Sequence, residues 1–203
     1  MFGATVAAFV AILGYRAPTE AIAEPTGFAF PSSRGELATA VDSLRAELAM
    51  VSSQLDRANR VMAYSSRYGI GASLASDIFD IALAEGIDPE LAFRLVKLES
   101  AFNERATSPV GARGLTQLML PTARHFDPSV NAQNVYERER NLRIGFRYLR
   151  SLMDTYRGNV KLALLVYNRG PAAVETARQM GFDPTNGYDQ IVTRGYRGKG
   201  TVD

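Results

Sequence analysis

The sequence predicts an all-α protein, and three observations support this fold class. Apolar residues recur at steps of three and four along residues 36–64, which is the spacing of one helix face. Asp88 and Pro89 stand ahead of a second such run, as an N-cap and a first helical residue would. No segment alternates apolar and polar residues with the β-branched enrichment typical of strands. The core is therefore expected to form where helices pack together.

Residues 1–23 are predicted to be a signal peptide or a membrane anchor. Residues 1–15 are uncharged and apolar, but a membrane-spanning helix needs roughly 20 such residues. Ala21-Ile22-Ala23 resembles a signal-peptide cleavage site, although no basic residue precedes the apolar run. A buried globular helix remains an alternative. The prolines and small residues of 24–35 predict a linker.

Residues 36–68 are predicted to form a long amphipathic, coiled-coil-like helix. Its seam alternates steps of four and three over nearly four heptads: Leu37, Val41, Leu44, Leu48, Val51, Leu55, Ala58 and Met62. Two interpretations stay open. The seam either forms a homodimer through residues 36–64, just outside the membrane, or docks on the following domain of its own chain.

Residues 69–194 are predicted to form one helical domain, in which short turns separate the helices. The predicted helices cover residues 74–84, 89–102, 115–120, 121–125, 138–156, 160–167, 171–180 and 188–194. The glycine-rich, charged residues 195–203 predict a disordered tail.

Composition argues against several classes of site. The 203 residues include no cysteine and only one histidine, so disulfides, thiolate chemistry and Cys- or His-rich metal sites are not expected. Neither a phosphate-binding glycine loop nor a metal-ligand spacing occurs, and the prediction is no cofactor and no metal. The formal net charge of +2 does not indicate nucleic-acid binding.

Glu99 is the candidate catalytic residue. Helical spacing from Pro89 places it beside the apolar stripe that contains Leu91 and Leu95. A carboxyl group that loses water on burial has a raised pKa and can act as a general acid near neutral pH. The alternative is a structural, half-buried Glu with a backbone or Arg partner.

Two later blocks place polar groups at breaks in the chain. In residues 108–119, Gly111 and Gly114 permit a tight turn, and Gln117 offers an amide close to it. Farther on, a helical run ends at Tyr167-Asn168, just ahead of Gly170-Pro171.

Together these blocks resemble the family 1 lytic transglycosylases of bacterial cell-wall metabolism, whose pattern is Glu-Ser, then Ser with Gly-Leu-Met-Gln, then Ala-Tyr-Asn. The matching segments are Glu99-Ser100, Ser108 with residues 114–117, and residues 166–168. The resemblance covers about residues 78–192. It includes an Asn…Gly…Tyr-Leu helix that starts at Asn141, and Tyr188 at the position of a tyrosine that lines the family's cleft. Thr116 and Val166 stand where Met and Ala are usual.

The resemblance implies a lysozyme-like helical domain that cleaves peptidoglycan between N-acetylmuramic acid (MurNAc) and N-acetylglucosamine (GlcNAc) without water. Glu99 would act as general acid and then as base, while the substrate's acetamido group replaces a second carboxylate and a 1,6-anhydro end forms. The implied substrate-binding residues are Ser108, Gln117, Met119, Tyr167, Asn168 and Tyr188. The implied location is the cell envelope, with secretion or inner-membrane anchoring by the N-terminal segment.

Two other functions stay open at this point. A goose-type muramidase shares the fold and the glutamate but adds water, and a membrane-anchored scaffold would bind glycan strands without cleaving them. The intact Glu99 argues against a pure scaffold. Nothing in the sequence places Glu104, Asp127 or Asp154 opposite Glu99, so these acids are interpreted as solvated residues.

Overall fold

The structure of the protein, a computed structural model, describes residues 33–202 and is helical in that range. It contains α1 (Arg34–Tyr68), α2 (Ala72–Ala84), α3 (Pro89–Ser100), α4 (Leu120–Phe126), a 3-10 helix (Asn134–Tyr136), α5 (Arg138–Thr155), α6 (Val160–Arg169), α7 (Pro171–Gln179) and α8 (Tyr188–Thr193). No β-strand forms between residues 33 and 202, where three isolated β-bridges occur. The all-α prediction is confirmed.

The chain divides into two compact units, Met1–Val51 and Ser52–Asp203. The predictions for residues 1–23 and 24–32 lie outside the described residues. Helix α1 begins two residues inside the predicted linker, because Ser33 and Glu36 form a capping box: each backbone N–H donates to the other's side chain at 3.2 Å. None of the helices in the described range has the length and apolarity needed to cross a membrane.

The predicted seam of α1 is largely open to solvent. In the first unit Leu48 is 67 % exposed, and in the second unit Leu55 is 60 % exposed. The part of α1 that belongs to the second unit packs through positions outside the seam. Val61 is buried, and the Tyr64 ring stacks on Phe93 of α3 with centroids 4.2 Å apart. Packing within the second unit therefore leaves the seam residues of that unit uncovered.

The second unit is built around α3, whose start is as predicted. The Asp88 carboxylate accepts a hydrogen bond from Glu90 N at 2.9 Å, and Pro89 occupies the first turn. The helix ends at Ser100, two residues earlier than predicted, because the next two residues have left-handed φ angles of 49° and 65°. The main core cluster joins α3 to residues of α2, α5, α6 and α8.

The predicted helix at residues 115–120 is wrong. Gly114 and Gln117 have φ angles of 77° and 49°, which a right-handed helix does not contain. Residues 106–118 instead form a compact loop, in which Arg113 and Leu118 exchange backbone hydrogen bonds of 3.0 and 2.9 Å. This glycine loop, residues 106–118, leads directly into α4.

The predicted disordered tail is also wrong, for residues 195–202. Asp88 N donates to Gly200 O at 2.9 Å, and Val202 N donates to Gly86 O at 3.1 Å, so the tail is bonded to the turn between α2 and α3. The Tyr196 hydroxyl donates to Asp88 Oδ2 at 2.7 Å. Composition alone missed these pairings because they depend on a turn more than 100 residues away in sequence.

Candidate active site

Glu99 lies in the last turn of α3, next to α8. Its side chain is largely buried, and its Oε1 accepts a hydrogen bond from the Tyr188 hydroxyl. The contact between α3 and α8 therefore joins two predicted site residues that are 89 positions apart in sequence.

Burial controls the protonation of Glu99. Loss of water raises its pKa from 4.5 to about 7, against the opposing effect of the Tyr188 hydrogen bond, which favours the carboxylate. Burial also raises the pKa of Tyr188 and of Tyr167 well above 10, and the Glu99 charge adds to both shifts. The site thus contains two neutral phenols and a carboxyl group that gains and loses a proton near pH 7.

The acids that the sequence could not place have other partners. Glu104 bonds Arg138 at 2.6 Å, Asp154 bonds Arg150 at 3.2 Å, and Asp127 bonds Arg140. Asp189 was not considered from sequence. It follows Tyr188, is 5 % exposed, and its Oδ1 has no hydrogen-bond partner in the described part of the chain.

Four of the predicted substrate-binding residues line one cavity of about 200 Å³: Gln117, Met119, Tyr167 and Asn168. It lies between the end of the glycine loop and the end of α6, and Tyr148 also borders it. Its volume is below the roughly 300–1,000 Å³ of typical ligand pockets, so it is large enough for only a small ligand or for part of a larger one. Glu99, Ser108 and Tyr188 are not among its lining residues.

Asn168 connects this cavity to the Glu99 pair through a residue that the sequence analysis missed. Asn186 donates from Nδ2 to Asn168 Oδ1 at 2.8 Å, and its own Oδ1 accepts from Tyr188 N at 3.2 Å. Asn186 thus ties the end of α6 to the start of α8, where Tyr188 meets Glu99. No motif marked it, because it lies in an irregular loop.

Ser108 and Gln117 organise the glycine loop. Ser108 Oγ accepts from Ala112 N at 3.0 Å, and Ser108 makes no hydrogen bond to Glu99. Gln117 Nε2 donates to Gly114 O at 3.0 Å and to Ala106 O at 3.3 Å. Both side chains therefore act on the conformation of the loop in the structure as it stands.

Asn141, on α5, anchors the glycine loop. It is 1 % exposed, and its Oδ1 accepts from both N and Oγ1 of Thr116 at 2.9 Å. Its Nδ2 donates to the backbone oxygens of Arg113 and Val135. Thr116 O in turn accepts from the Tyr167 hydroxyl at 2.8 Å. The family resemblance includes Asn141 but implies no role for it.

The unusual Thr116 is explained by its neighbours. A Cβ added to Gly145 would lie 2.3 Å from Thr116 Oγ1, so the loop and α5 approach closely at this point. Two oxygens of Asn141 also lie within hydrogen-bond distance of the Thr116 hydroxyl, which can donate to either of them, whereas a Met side chain has no donor.

The chain is similar to known proteins. Residues 76–185 match the family model described as "Transglycosylase SLT domain". The transglycosylase of Enterobacteria phage PRD1 is 43 % identical over 84 residues, covering 41 % of this chain and 30 % of the phage protein. The soluble lytic murein transglycosylase of Salmonella typhimurium is 34 % identical over 96 residues, covering 44 % of this chain and 15 % of that protein.

A solved structure shares the fold. The 70-kDa soluble lytic transglycosylase in complex with bulgecin A aligns with a TM-score of 0.53 and 22 % identity, covering 69 % of this chain and 27 % of that chain. This chain spans less than a third of each of these relatives. The predicted lysozyme-like helical fold and the family resemblance are confirmed. The chain belongs to the transglycosylase SLT domain family.

Proposed function

We propose that this protein is a peptidoglycan lytic transglycosylase that cleaves the MurNAc-β-1,4-GlcNAc bond and leaves 1,6-anhydro-MurNAc ends. The main support for this proposal is Glu99. Its carboxyl group is largely buried, has a pKa raised to about 7, and accepts a hydrogen bond from the Tyr188 hydroxyl on one oxygen. The names of the two relatives, a transglycosylase and a soluble lytic murein transglycosylase, support the reaction class and the murein substrate.

In the proposed first step, protonated Glu99 donates to the oxygen between MurNAc C1 and GlcNAc. The C1–O bond breaks, and the acetamido oxygen of the same MurNAc bonds to C1. In the second step the Glu99 carboxylate removes the proton from the C6 hydroxyl. O6 then bonds to C1, the acetamido oxygen leaves, and Glu99 is protonated again without the use of water. A pKa near 7 suits both steps, because both protonation states are accessible at neutral pH.

The other predicted residues receive roles in this scheme. Gln117, Met119, Tyr167 and Asn168 border the cavity and are proposed to contact the sugar rings and the acetamido group. Tyr188 is proposed to hold the Glu99 carboxylate in position between the two proton transfers. Ser108 is proposed to contribute through the turn that it closes with Ala112.

A hydrolytic muramidase is the second candidate, and Asp189 is the observation that favours it. Hydrolysis normally uses a second carboxylate that activates water, and Asp189 is a buried carboxylate next to Tyr188. We favour the lytic reaction because both relatives are named as transglycosylases, and one of them as a lytic murein transglycosylase.

Mass spectrometry of the products from purified sacculi separates the two reactions. Anhydro ends from the wild type, their loss in Glu99→Gln and their persistence in Asp189→Asn are expected. Reducing ends that disappear in Asp189→Asn would assign a hydrolase instead.

We also propose that the enzyme acts in the cell envelope and associates with itself through α1. Murein is the substrate named for the bacterial relative, and the α1 seam presents exposed aliphatic side chains, including Leu48 and Leu55, at heptad spacing. Export or inner-membrane anchoring through residues 1–23 stays a prediction.

A further inference from the structure

A larger cavity of about 610 Å³ lies along the exposed side of α3, bordered by the end of α1 and by α8. We name it the α3–α8 groove. The lining residues that matter for its chemistry are three cations and three apolar or aromatic residues: Arg67, Lys97, Arg194, Tyr68, Leu98 and Ile191. None of its lining residues borders the cavity of Gln117 and Asn168.

The α3–α8 groove is separate from the proposed catalytic carboxyl group. Lys97 and Glu99 are two residues apart on α3, which corresponds to about 200° around the helix. Lys97 is exposed, whereas Glu99 is on the packed side with Tyr188. The two sites nevertheless share α3 and α8, so a polymer bound at one is within reach of the other.

The groove carries an excess of positive charge. The Glu90 carboxylate is shared by Arg67 at 2.7 Å and Arg94 at 2.8 Å. Lys97 and Arg194 have no carboxylate within 4 Å in the described range. A ligand that brings carboxylates would therefore meet cations that are not already neutralised.

The floor of the groove is apolar, and hydrogen bonds between α3 and the end of α8 hold it in place. Leu98 is 38 % exposed and Ile191 is 52 % exposed. Arg94 donates to Arg194 O at 2.6 Å and to Val192 O at 3.3 Å, which fixes the end of α8 against α3. The groove therefore offers a fixed apolar surface beside unpaired positive charge, within the volume range of typical ligand pockets.

We propose that the α3–α8 groove binds the peptide stems of murein. This inference rests on the proposed murein substrate. A stem is a short peptide that combines alanine methyl groups with carboxylates, which match the apolar floor and the unpaired cations. Lys97 and Glu99 are two residues apart near the end of α3, at Ser100. Four extended residues reach about 14 Å, so a stem that leaves a strand near Glu99 can reach Lys97 around the end of the helix.

The test measures binding without cleavage, in the full chain carrying Glu99→Gln. Co-sedimentation compares intact sacculi with glycan strands from which an amidase has removed the peptides. Adding Lys97→Glu and Arg194→Glu is expected to weaken binding to intact sacculi about tenfold and leave binding to stripped strands unchanged. Lys161→Glu with Arg178→Glu, the same charge change at exposed positions of α6 and α7, is the matched control and is expected to bind as the parent does.

Several results would overturn the proposal. The first is unchanged binding of the groove variant to intact sacculi, and the second is an equal loss of binding to stripped strands. The third comes from the same co-sedimentation with phosphatidylglycerol vesicles: a loss of binding that occurs with the vesicles and not with intact sacculi. Lys97→Gln with Arg194→Gln replaces the charge-reversal variant if circular dichroism shows that the latter is unfolded. Anhydro products from the wild type without peptide-dependent binding would reject only the groove, whereas peptide-dependent binding without anhydro products would reject only the catalytic proposal.

Discussion

The hydroxyl of Tyr188 donates a hydrogen bond to Oε1 of Glu99, across the contact between α8 and α3. This bond stabilises the carboxylate, while burial of the same group stabilises the neutral acid. The balance leaves the pKa of Glu99 at about 7 rather than higher. Tyr188 therefore adjusts how readily Glu99 passes from proton donor to proton acceptor.

Tyr188→Phe is expected to raise the pKa of Glu99 further, because the variant removes the hydrogen bond that lowers it. Release of anhydro products by the wild type should decline as pH rises above about 7, where the acid form is lost. In the variant this decline should move to higher pH, and the maximal rate should fall roughly 10- to 100-fold.

The measurement is the pH profile of product release from sacculi. Tyr156→Phe is the control, since no hydrogen bond of its hydroxyl is present in the described structure, and its profile should match the wild type. A Tyr188→Phe profile with an unshifted alkaline limb would contradict the assigned role.

Glu99→Gln is expected to abolish product release and to stabilise the fold at alkaline pH. The folded-state pKa of about 7 lies above the ordinary value of 4.5, so the folded state binds the proton more tightly. Below pH 4.5 the group is neutral in both states and the fold bears no cost. As pH rises through 7, Glu99 ionises in the folded state as well. Its contribution to the free energy of unfolding is then lower by roughly 3 kcal/mol than at low pH.

Urea unfolding of wild type and Glu99→Gln at pH 4 and pH 8 checks this sign. The variant should be more stable than the wild type at pH 8 and nearly equal to it at pH 4. Glu175→Gln, at an exposed position of α7, should show no such difference between the two pH values. A stability gain that is the same at both pH values would falsify the desolvation argument.

Features that depend on local sequence were predictable. The start of α3 follows from Asp88 and Pro89, whose capping contacts are within two residues of each other. The burial of Glu99 follows from its helical phase relative to Leu91 and Leu95, both fully buried. Leu98, which also lies at helical spacing from Leu91 and Leu95, is nevertheless 38 % exposed and borders the α3–α8 groove.

Features that depend on distant partners were not predictable. The helix predicted over residues 115–120 is wrong because Gln117 has a left-handed φ angle, in a loop that is held by hydrogen bonds to Asn141 of α5 rather than by local propensity. The link through Asn186 likewise joins two segments that are 18 residues apart. The cavity residues were found through the family resemblance, since helical spacing alone does not bring Gln117 next to Asn168.

Asn141→Ala is expected to destabilise the protein by about 3 kcal/mol, because it leaves buried backbone groups of the glycine loop without partners. Product release should also fall, since Thr116 O would lose its fixed position under the Tyr167 hydroxyl. Urea unfolding gives the free energy, and product release under folded conditions gives the activity. Gln133→Ala, an exposed amide on the neighbouring loop, should change neither quantity. A stable Asn141→Ala protein with wild-type activity would show that the anchor is dispensable.

Self-association through α1 gives the last prediction. The exposed seam residues recur at heptad spacing, and the surface that α1 buries in the second unit belongs to other positions such as Val61 and Tyr64. A second copy would cover the seam, and two buried leucines per helix contribute a few kcal/mol to a dimer. Sedimentation velocity of the wild type should therefore show a concentration-dependent dimer.

Leu48→Glu with Leu55→Glu places charges in the seam and should leave a monomer at all concentrations. Ala46→Glu with Ser53→Glu is the matched control, because these positions are outermost in the same heptads and face away from the seam. The control should dimerise as the wild type does. Two results would contradict the prediction. One is a wild-type protein that remains monomeric across a wide concentration range. The other is a dimer that both pairs of substitutions weaken equally, because a contact through the seam is disturbed at positions 48 and 55 but not at 46 and 53.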